Sequence, residues 1–182
     1  MTSDITPVVL TFNEAPNLGR TLARLTWARE VIILDSLSAD ETVSIALKRP
    51  NVRVVQRTFD THVSQWNAGV AECRTGWVLS LDADYVLSLE LVEELKSWRP
   101  QADVDAYYCR FRYCVEGKPL RGSLYPPRAV LFRRARCRYV QDGHTQLLHV
   151  PGAVGWLSGA IVHDDRKPLS RWFLDQDRYA KL

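Results

Sequence analysis

Short apolar runs separated by amphipathic stretches set the pattern of the first hundred residues. Pro7 to Phe12 is apolar and rich in β-formers, and Leu18, Leu22 and Leu25 then recur at helical spacing, so strand, loop and helix follow one another. Val31 to Leu34 repeats the buried-strand pattern and ends in Asp35, after which Ser38 or Asp40 stands where it can cap a helix carrying Val43, Ala46 and Leu47. Asn51 to Val55 predicts a third strand, Val63, Trp66 and Val70 the next helix, and Trp77 to Leu81 a fourth strand ending in Asp82. Ser88 opens a further helix lined by Leu91, Leu95 and Trp98. Such alternation predicts an α/β fold, with a mainly parallel sheet, right-handed crossovers and helices on both faces. Past Pro100 the pattern changes to aromatic and β-branched runs, Ala106 to Val115 and Ala129 to Phe132, around a Glu116-Gly117-Lys118-Pro119 turn. Antiparallel strands added in the C-terminal half are therefore expected. Open sheets of this class bind ligands at the carboxyl ends of their strands, and here those ends carry Asn13 and Glu14, Asp35, and Asp82 with Asp84.

Composition narrows the class without changing it. A chain of 182 residues can bury a core without staples, and 46% hydrophobic with 25% charged residues excludes disordered, collagenous and coiled-coil chains. The four cysteines, Cys73, Cys109, Cys114 and Cys137, form no C-x-x-C pair, so reduced thiols in a cytoplasm are expected rather than a zinc ribbon or disulfide framework. The N-terminus lacks a basic segment followed by an apolar one and is not read as a secretory signal. The uncharged stretch Val150 to Val162, broken by Pro151, Gly152, Gly155 and Gly159, is too short to span a bilayer, so any membrane contact is peripheral. A net charge of +3 is too mild to indicate nucleic acid, and no recognisable nucleic-acid module accompanies it. The basic residues do cluster, from Arg128 through Arg133 and Arg134 to Arg136 and Arg138. That run is either a solvated strand face or a contact for a phosphate-rich acceptor or an anionic surface.

The segment Leu79 to Tyr85, LSLDADY, delivers two carboxylates two residues apart at a strand end. Hard oxygen ligands of this kind suit Mg²⁺ or Mn²⁺ bridging the phosphates of a nucleotide, although a solvated strand-end turn carries the same residues. Four ordered segments are more specific: LTFNEAPNL (Leu10 to Leu18), ILDSLSADET (Ile33 to Thr42), SQWNAGV (Ser64 to Val70) and WVLSLDADYVLS (Trp77 to Ser88). In this order the chain resembles a family 2 glycosyltransferase of the GT-A fold, with its nearest likeness to the lipopolysaccharide core β-glucosyltransferase branch. The likeness runs from Pro7 to about Tyr179, since Tyr125, Leu131 and Ile161 also fall in sequence.

The resemblance implies a single GT-A-like domain over residues 1–182 with a Rossmann-like sheet, residues 1–100 binding a nucleotide sugar and 101–182 facing the acceptor. It implies that Thr11, Asn13 and Glu14 line the nucleotide pocket, that Asp35 bonds the base, and that Asp82 contacts the ribose or metal. Asp84 would ligate a divalent metal, Mn²⁺ or Mg²⁺, and His163 would approach the same metal or the diphosphate. Asn67, beside Trp66, joins the donor set or simply bonds a neighbouring backbone group. The chain departs from the branch at Leu37, Ala39, Tyr85 and Val130, and has His144-Thr145 where the branch has His-Glu. The carboxylate nearest that position is Asp142, read either as catalytic base or as part of an Asp-Gly turn, with Asp164 as a substitute. Bland readings stand beside others: Asp35 as a helix cap and Glu14 as a first-turn acid. Arg128, Arg133 and Arg134 are the expected acceptor or anionic-surface contacts. The activity implied is inverting, metal-dependent transfer to a glycan or glycolipid hydroxyl in cell-envelope synthesis, at the inner face of the membrane. Its rivals are a catalytically silent nucleotide-sugar-binding module and a haloacid-dehalogenase-type phosphatase, whose h-h-h-D-x-D-x-V pattern Leu79 to Val86 satisfies. Members of the branch usually continue past the point where this chain stops, so a short or truncated form lacking a membrane-associating tail is expected.

Overall fold

The structure, a computed structural model, describes residues 4–122, 126–143, 145–168, 170–171, 173–174 and 177. The four foreseen strands are β1 (Ile5–Thr11), β2 (Val31–Asp35), β3 (Val52–Gln56) and β4 (Trp77–Asp82), separated by α1 (Ala15–Ala23), α2 (Thr42–Leu47) and α3 (His62–Ala71). A short β5 (Tyr85–Leu87) precedes α4 (Leu89–Ser97), which Ser88 caps by accepting from the Leu91 amide at 3.2 Å. Then follow β6 (Val104–Val115), β7 (Lys118–Pro119), β8 (Arg128–Arg133), β9 (Arg138–Asp142), β10 (Thr145–His149) and β11 (Ala153–His163).

The main sheet runs β3-β2-β1-β4-β8-β6-β11-β5, with β7 paired to β6. Its first four strands are parallel, and β8 joins β4 and β6 antiparallel. The C-terminal half is not antiparallel throughout, because β6 and β11 pair in parallel before β11 meets β5 antiparallel. β1 and β2 are buried on both faces, as a continuous apolar run requires, while β3 at the edge is only half-buried.

Helices cover both faces. Leu18 and Leu22 of α1 and Leu91 and Leu95 of α4 pack on Ile5, Val9, Ile33, Leu79 and Leu81. The opposite face receives Trp66 and Val70 of α3 on Val8, Ile32, Val78 and Phe132. α3 approaches β1 closely because residue 69 is glycine: a Cβ there would stand 2.7 Å from Val8 Cγ1. The β9–β10 hairpin leans on the same face, its Tyr139 ring stacked 5.2 Å from Trp66. Removing so buried an aromatic costs about 3–5 kcal/mol. Among the described residues, no helix is long and apolar enough to cross a membrane.

Candidate active site

The site begins where β4 ends. Ala83 is buried, and its carbonyl accepts from Thr21 Oγ1 of α1 at 2.6 Å. That bond fixes the strand end, so that Asp82 and Asp84 on either side of Ala83 open into one cleft. His163 arrives from far along the chain because β5 turns back against β11 in a register that pairs Tyr85 with His163. Its Nε2 lies 2.9 Å from Asp84 Oδ2, and the Tyr85 and Tyr113 rings stand edge-on at 5.2 and 5.1 Å. Burial favours the neutral imidazole, but the Asp84 carboxylate, with Asp82 and Asp165 behind it, outweighs that and raises its pKa. Burial, helped by the Asp84 charge, raises Asp82, while the Tyr85 hydroxyl bonds to it and opposes the rise. Tyr85, one of the departures from the branch pattern, is thus tied into the site.

The opposite wall comes from the first loop. Thr11 closes β1 with its hydroxyl donating to Asp35 at 2.8 Å. Glu14 opens α1 with its amide on Thr42 Oγ1 at 2.7 Å, and its carboxylate accepts from Asn17 Nδ2 at 2.8 Å and Lys167 Nζ at 2.6 Å. Burial raises the Glu14 pKa in spite of the ammonium. Thr11 and Glu14, with Asp82, Asp84 and His163, line a cleft of about 510 Å³, with Phe12 and Phe59 exposed at its rim and Lys167 and Arg171 on its cationic side. A second cavity of about 360 Å³ lies beside it, lined by Trp66, Tyr85, Arg128, Tyr139 and Asp142 among others. Asp82 lines both.

The remaining expected residues go elsewhere. Asn13 takes φ 54°, donates its amide to Ser38 Oγ and accepts from the Ala39 amide, so it locks the loop rather than lining the cleft. Asp35 is fully buried, and its two oxygens accept from Thr11, Gln56 and both the amide and hydroxyl of Ser38. A carboxylate so occupied is the anchor of the β1 and β2 loops and presents nothing to a base in this conformation. Asn67 clasps the backbone of Tyr139, donating to its carbonyl and accepting from its amide, each at 3.0 Å, so the backbone reading holds there. Asp142 closes β9 at the turn through Gly143, φ 57°, and faces the second cavity. Asp164 is buried and bridged by Arg20 and Arg166, which leaves it no role as a substitute base. His144 lies outside the described residues.

Arg128, Arg133 and Arg134 do not form one acceptor surface. β8 runs antiparallel to β4 with Arg133 opposite Trp77, so the strand carries Arg133 and Arg134 to the edge away from Asp82, roughly 17 Å from Arg128 at about 3.3 Å per residue. Arg133 donates to the carbonyls of Val104, Gln101 and Ala102 and covers the Trp77 ring at 4.6 Å, and Arg134 donates to the Thr75 carbonyl. Only Arg128 remains beside the site.

Sequence reasoning missed Asn17, Phe59, Lys167 and Arg171. Lys167 carried one signal, its place in the run Asp164-Asp165-Arg166-Lys167 directly after an apolar strand. Among the described residues, no three His, Cys, Asp or Glu side chains gather as a ready-made metal cage. A carboxylate and an imidazole in contact beside a second carboxylate do fit a hard divalent cation that arrives with phosphate oxygens, as Mg²⁺ commonly does.

Residues 6–165 match the family model described as glycosyl transferase family 2. An uncharacterized glycosyltransferase of Rickettsia bellii is 33% identical over 108 residues, covering 59% of this chain and 36% of that protein. An uncharacterized protein of Mycobacterium tuberculosis is 24% identical over 204 residues, covering 96% of this chain and 50% of its own. The chain thus spans a third to a half of the length of these relatives. In fold it is similar to residues 1–349 of S. aureus TarS in complex with UDP-GlcNAc, with a TM-score of 0.69 and 15% identity over 90% of this chain and 59% of that one.

Proposed function

The chain belongs to glycosyl transferase family 2, and from that premise we propose that it transfers a sugar from a nucleoside-diphosphate donor to a hydroxyl of a glycan or glycolipid. The observation that carries this reading is the convergence of Asp82, Asp84, His163 and Glu14 on one cleft at the carboxyl ends of β1 and β4. That is where an open parallel sheet binds nucleotides. Phe12 and Phe59 at the rim offer ring faces to a base, and Thr11 and Glu14 complete the nucleotide pocket. Asp84 and His163 would hold Mn²⁺ or Mg²⁺, with Asp82 beside them. Bound there, the metal supplies charge neutralisation for the departing diphosphate.

The second cavity is the acceptor side, because it shares Asp82 with the donor cleft. Asp142 takes the proton from the acceptor hydroxyl as its oxygen bonds to the anomeric carbon and the bond to the diphosphate oxygen breaks. One displacement from the opposite face inverts the anomeric centre. The residue resemblance favours an acceptor of the lipopolysaccharide core type and work at the inner face of the cell membrane.

A thermal-shift screen of nucleoside diphosphates with and without Mn²⁺ tests the donor site, since ligands of the native state raise its apparent stability. At least one diphosphate is expected to stabilise the protein more with Mn²⁺. Asp84→Asn should remove that metal-dependent part, measured as the shift from each protein's own unliganded melting temperature. An equal shift in both proteins would overturn the metal role.

A further inference from the structure

Lys167 stands out in the donor cleft. Its side chain is mostly buried, at 22% exposure, yet it reaches the cleft from a segment with no regular secondary structure of its own. That segment is fastened from below. Asn17, fully buried on α1, donates to Asp165 Oδ1 at 2.7 Å and accepts from the Arg166 amide at 2.8 Å, while Arg20 donates to the Asp164 carbonyl at 2.6 Å. Asp165 in turn accepts from the Lys167 amide at 2.9 Å. The result aims Nζ at Glu14, 2.6 Å away, in the cleft that Asp84 and His163 also line.

Resting on the donor-cleft reading, we propose that Lys167 is a binding residue for the donor's diphosphate, held in place by Glu14 until the ligand arrives. Three carboxylates, Glu14, Asp82 and Asp84, line this cleft, and by themselves they repel a diphosphate. A divalent cation at Asp84 answers one part of that repulsion, and a fixed ammonium on the opposite wall answers another. Lysine suits the task because it acts as a compact charge with three donors on a flexible stem. It can keep one bond to Glu14 and give another to a phosphate oxygen. Lys167 thereby supplies a part of diphosphate recognition that does not need metal.

The test is titration calorimetry in EDTA, comparing a nucleoside diphosphate with its nucleoside, using whichever of UDP, GDP, CDP or ADP binds the wild-type protein most tightly. The wild type is expected to prefer the diphosphate, and Lys167→Met to lose at least about tenfold of that preference, as removal of a charge-assisted hydrogen bond entails. Lys167→Arg should retain most of it. The Glu14→Gln/Lys167→Met double variant removes the carboxylate that Lys167→Met would strand and guards against misfolding; compared with Glu14→Gln alone, it should show the same loss. An unchanged preference in the folded Lys167→Met protein or the double variant overturns the proposal while leaving the donor cleft standing. Absence of any nucleotide binding by the wild type, with or without Mn²⁺, overturns both.

Discussion

Replacing Asn17 by alanine should unfasten the segment that carries Lys167. The side chain is fully buried and makes four hydrogen bonds: Nδ2 to Glu14 and Asp165 at 2.8 and 2.7 Å, and Oδ1 from Arg20 Nη2 and the Arg166 amide, both at 2.8 Å. A net hydrogen bond contributes about 1 kcal/mol, and rather more when its partner is charged, as three of these are. Glu14, Asp165 and Arg20 regain some water in the variant, whereas the Arg166 amide and the space left by the side chain do not. The expected loss is about 3 kcal/mol, a large share of the roughly 5–15 kcal/mol that holds a domain folded. In a chain of this length that corresponds to a fall in melting temperature of roughly 6–12 °C. Urea unfolding followed by tryptophan fluorescence measures it. Asn17→Asp is the informative companion, because it keeps the acceptor but sets a third carboxylate against Glu14 and Asp165. Its deficit should shrink as the pH falls toward the carboxylate range. A loss below about 1 kcal/mol for the alanine variant would refute the clasp, since it lies below even one charge-assisted bond.

Two further outcomes follow from the same structure. The raised pKa of His163 means that its pairing with Asp84 contributes stability fully below its ordinary value of 6.5 and loses it as pH rises through the folded value. In EDTA, the stability difference between wild type and His163→Gln should therefore be larger at about pH 6 than at about pH 9, and a difference that grows with pH would contradict the pairing. Burial pushes Cys73 and Cys109 up to about 12 and Cys137 up to about 11, while Cys114 is only half-buried. A disulfide reagent should accordingly label one thiol quickly in the native protein and the other three only on unfolding; fast labelling of several would show that the core is looser than described.

The parallel half of the fold was legible because its strands are buried on both faces and read as unbroken apolar runs, from Val31 to Leu34 most clearly. Ser88 as a cap and Glu116-Gly117 as a turn, at φ 50° and 80°, follow from local chemistry that acts over three or four residues. The Asp142-Gly143 turn of the β9–β10 hairpin is legible, but its strands and the parallel pairing of β6 with β11 are not, since neither run alternates strongly and a parallel partner leaves no turn signal between strands. Within the site, Asp82, Asp84 and His163 were expected together and stand together. Asp35 and Asn67 show the limit of motif reasoning: the polar residue is present at the strand or helix position expected, but whether it faces a ligand or the backbone depends on neighbours such as Ser38, Gln56 and Tyr139. Arg133 and Arg134 follow Arg128 in sequence, but strand direction separates them. Lys167 depends on Asn17, nearly the whole chain away, and no local pattern records that meeting.

Sugar transfer from a nucleotide donor is read out by incubating the protein with a panel of nucleotide sugars and Mn²⁺ and measuring release of nucleoside diphosphate, with a phosphomonoester alongside. Release of nucleoside diphosphate from one or a few donors is expected, stimulated by a glycan or glycolipid acceptor, abolished by Asp84→Asn and strongly reduced by Asp142→Asn, with no phosphate freed from the monoester. Nucleotide binding without release from any donor, or free phosphate from the monoester, would contradict it.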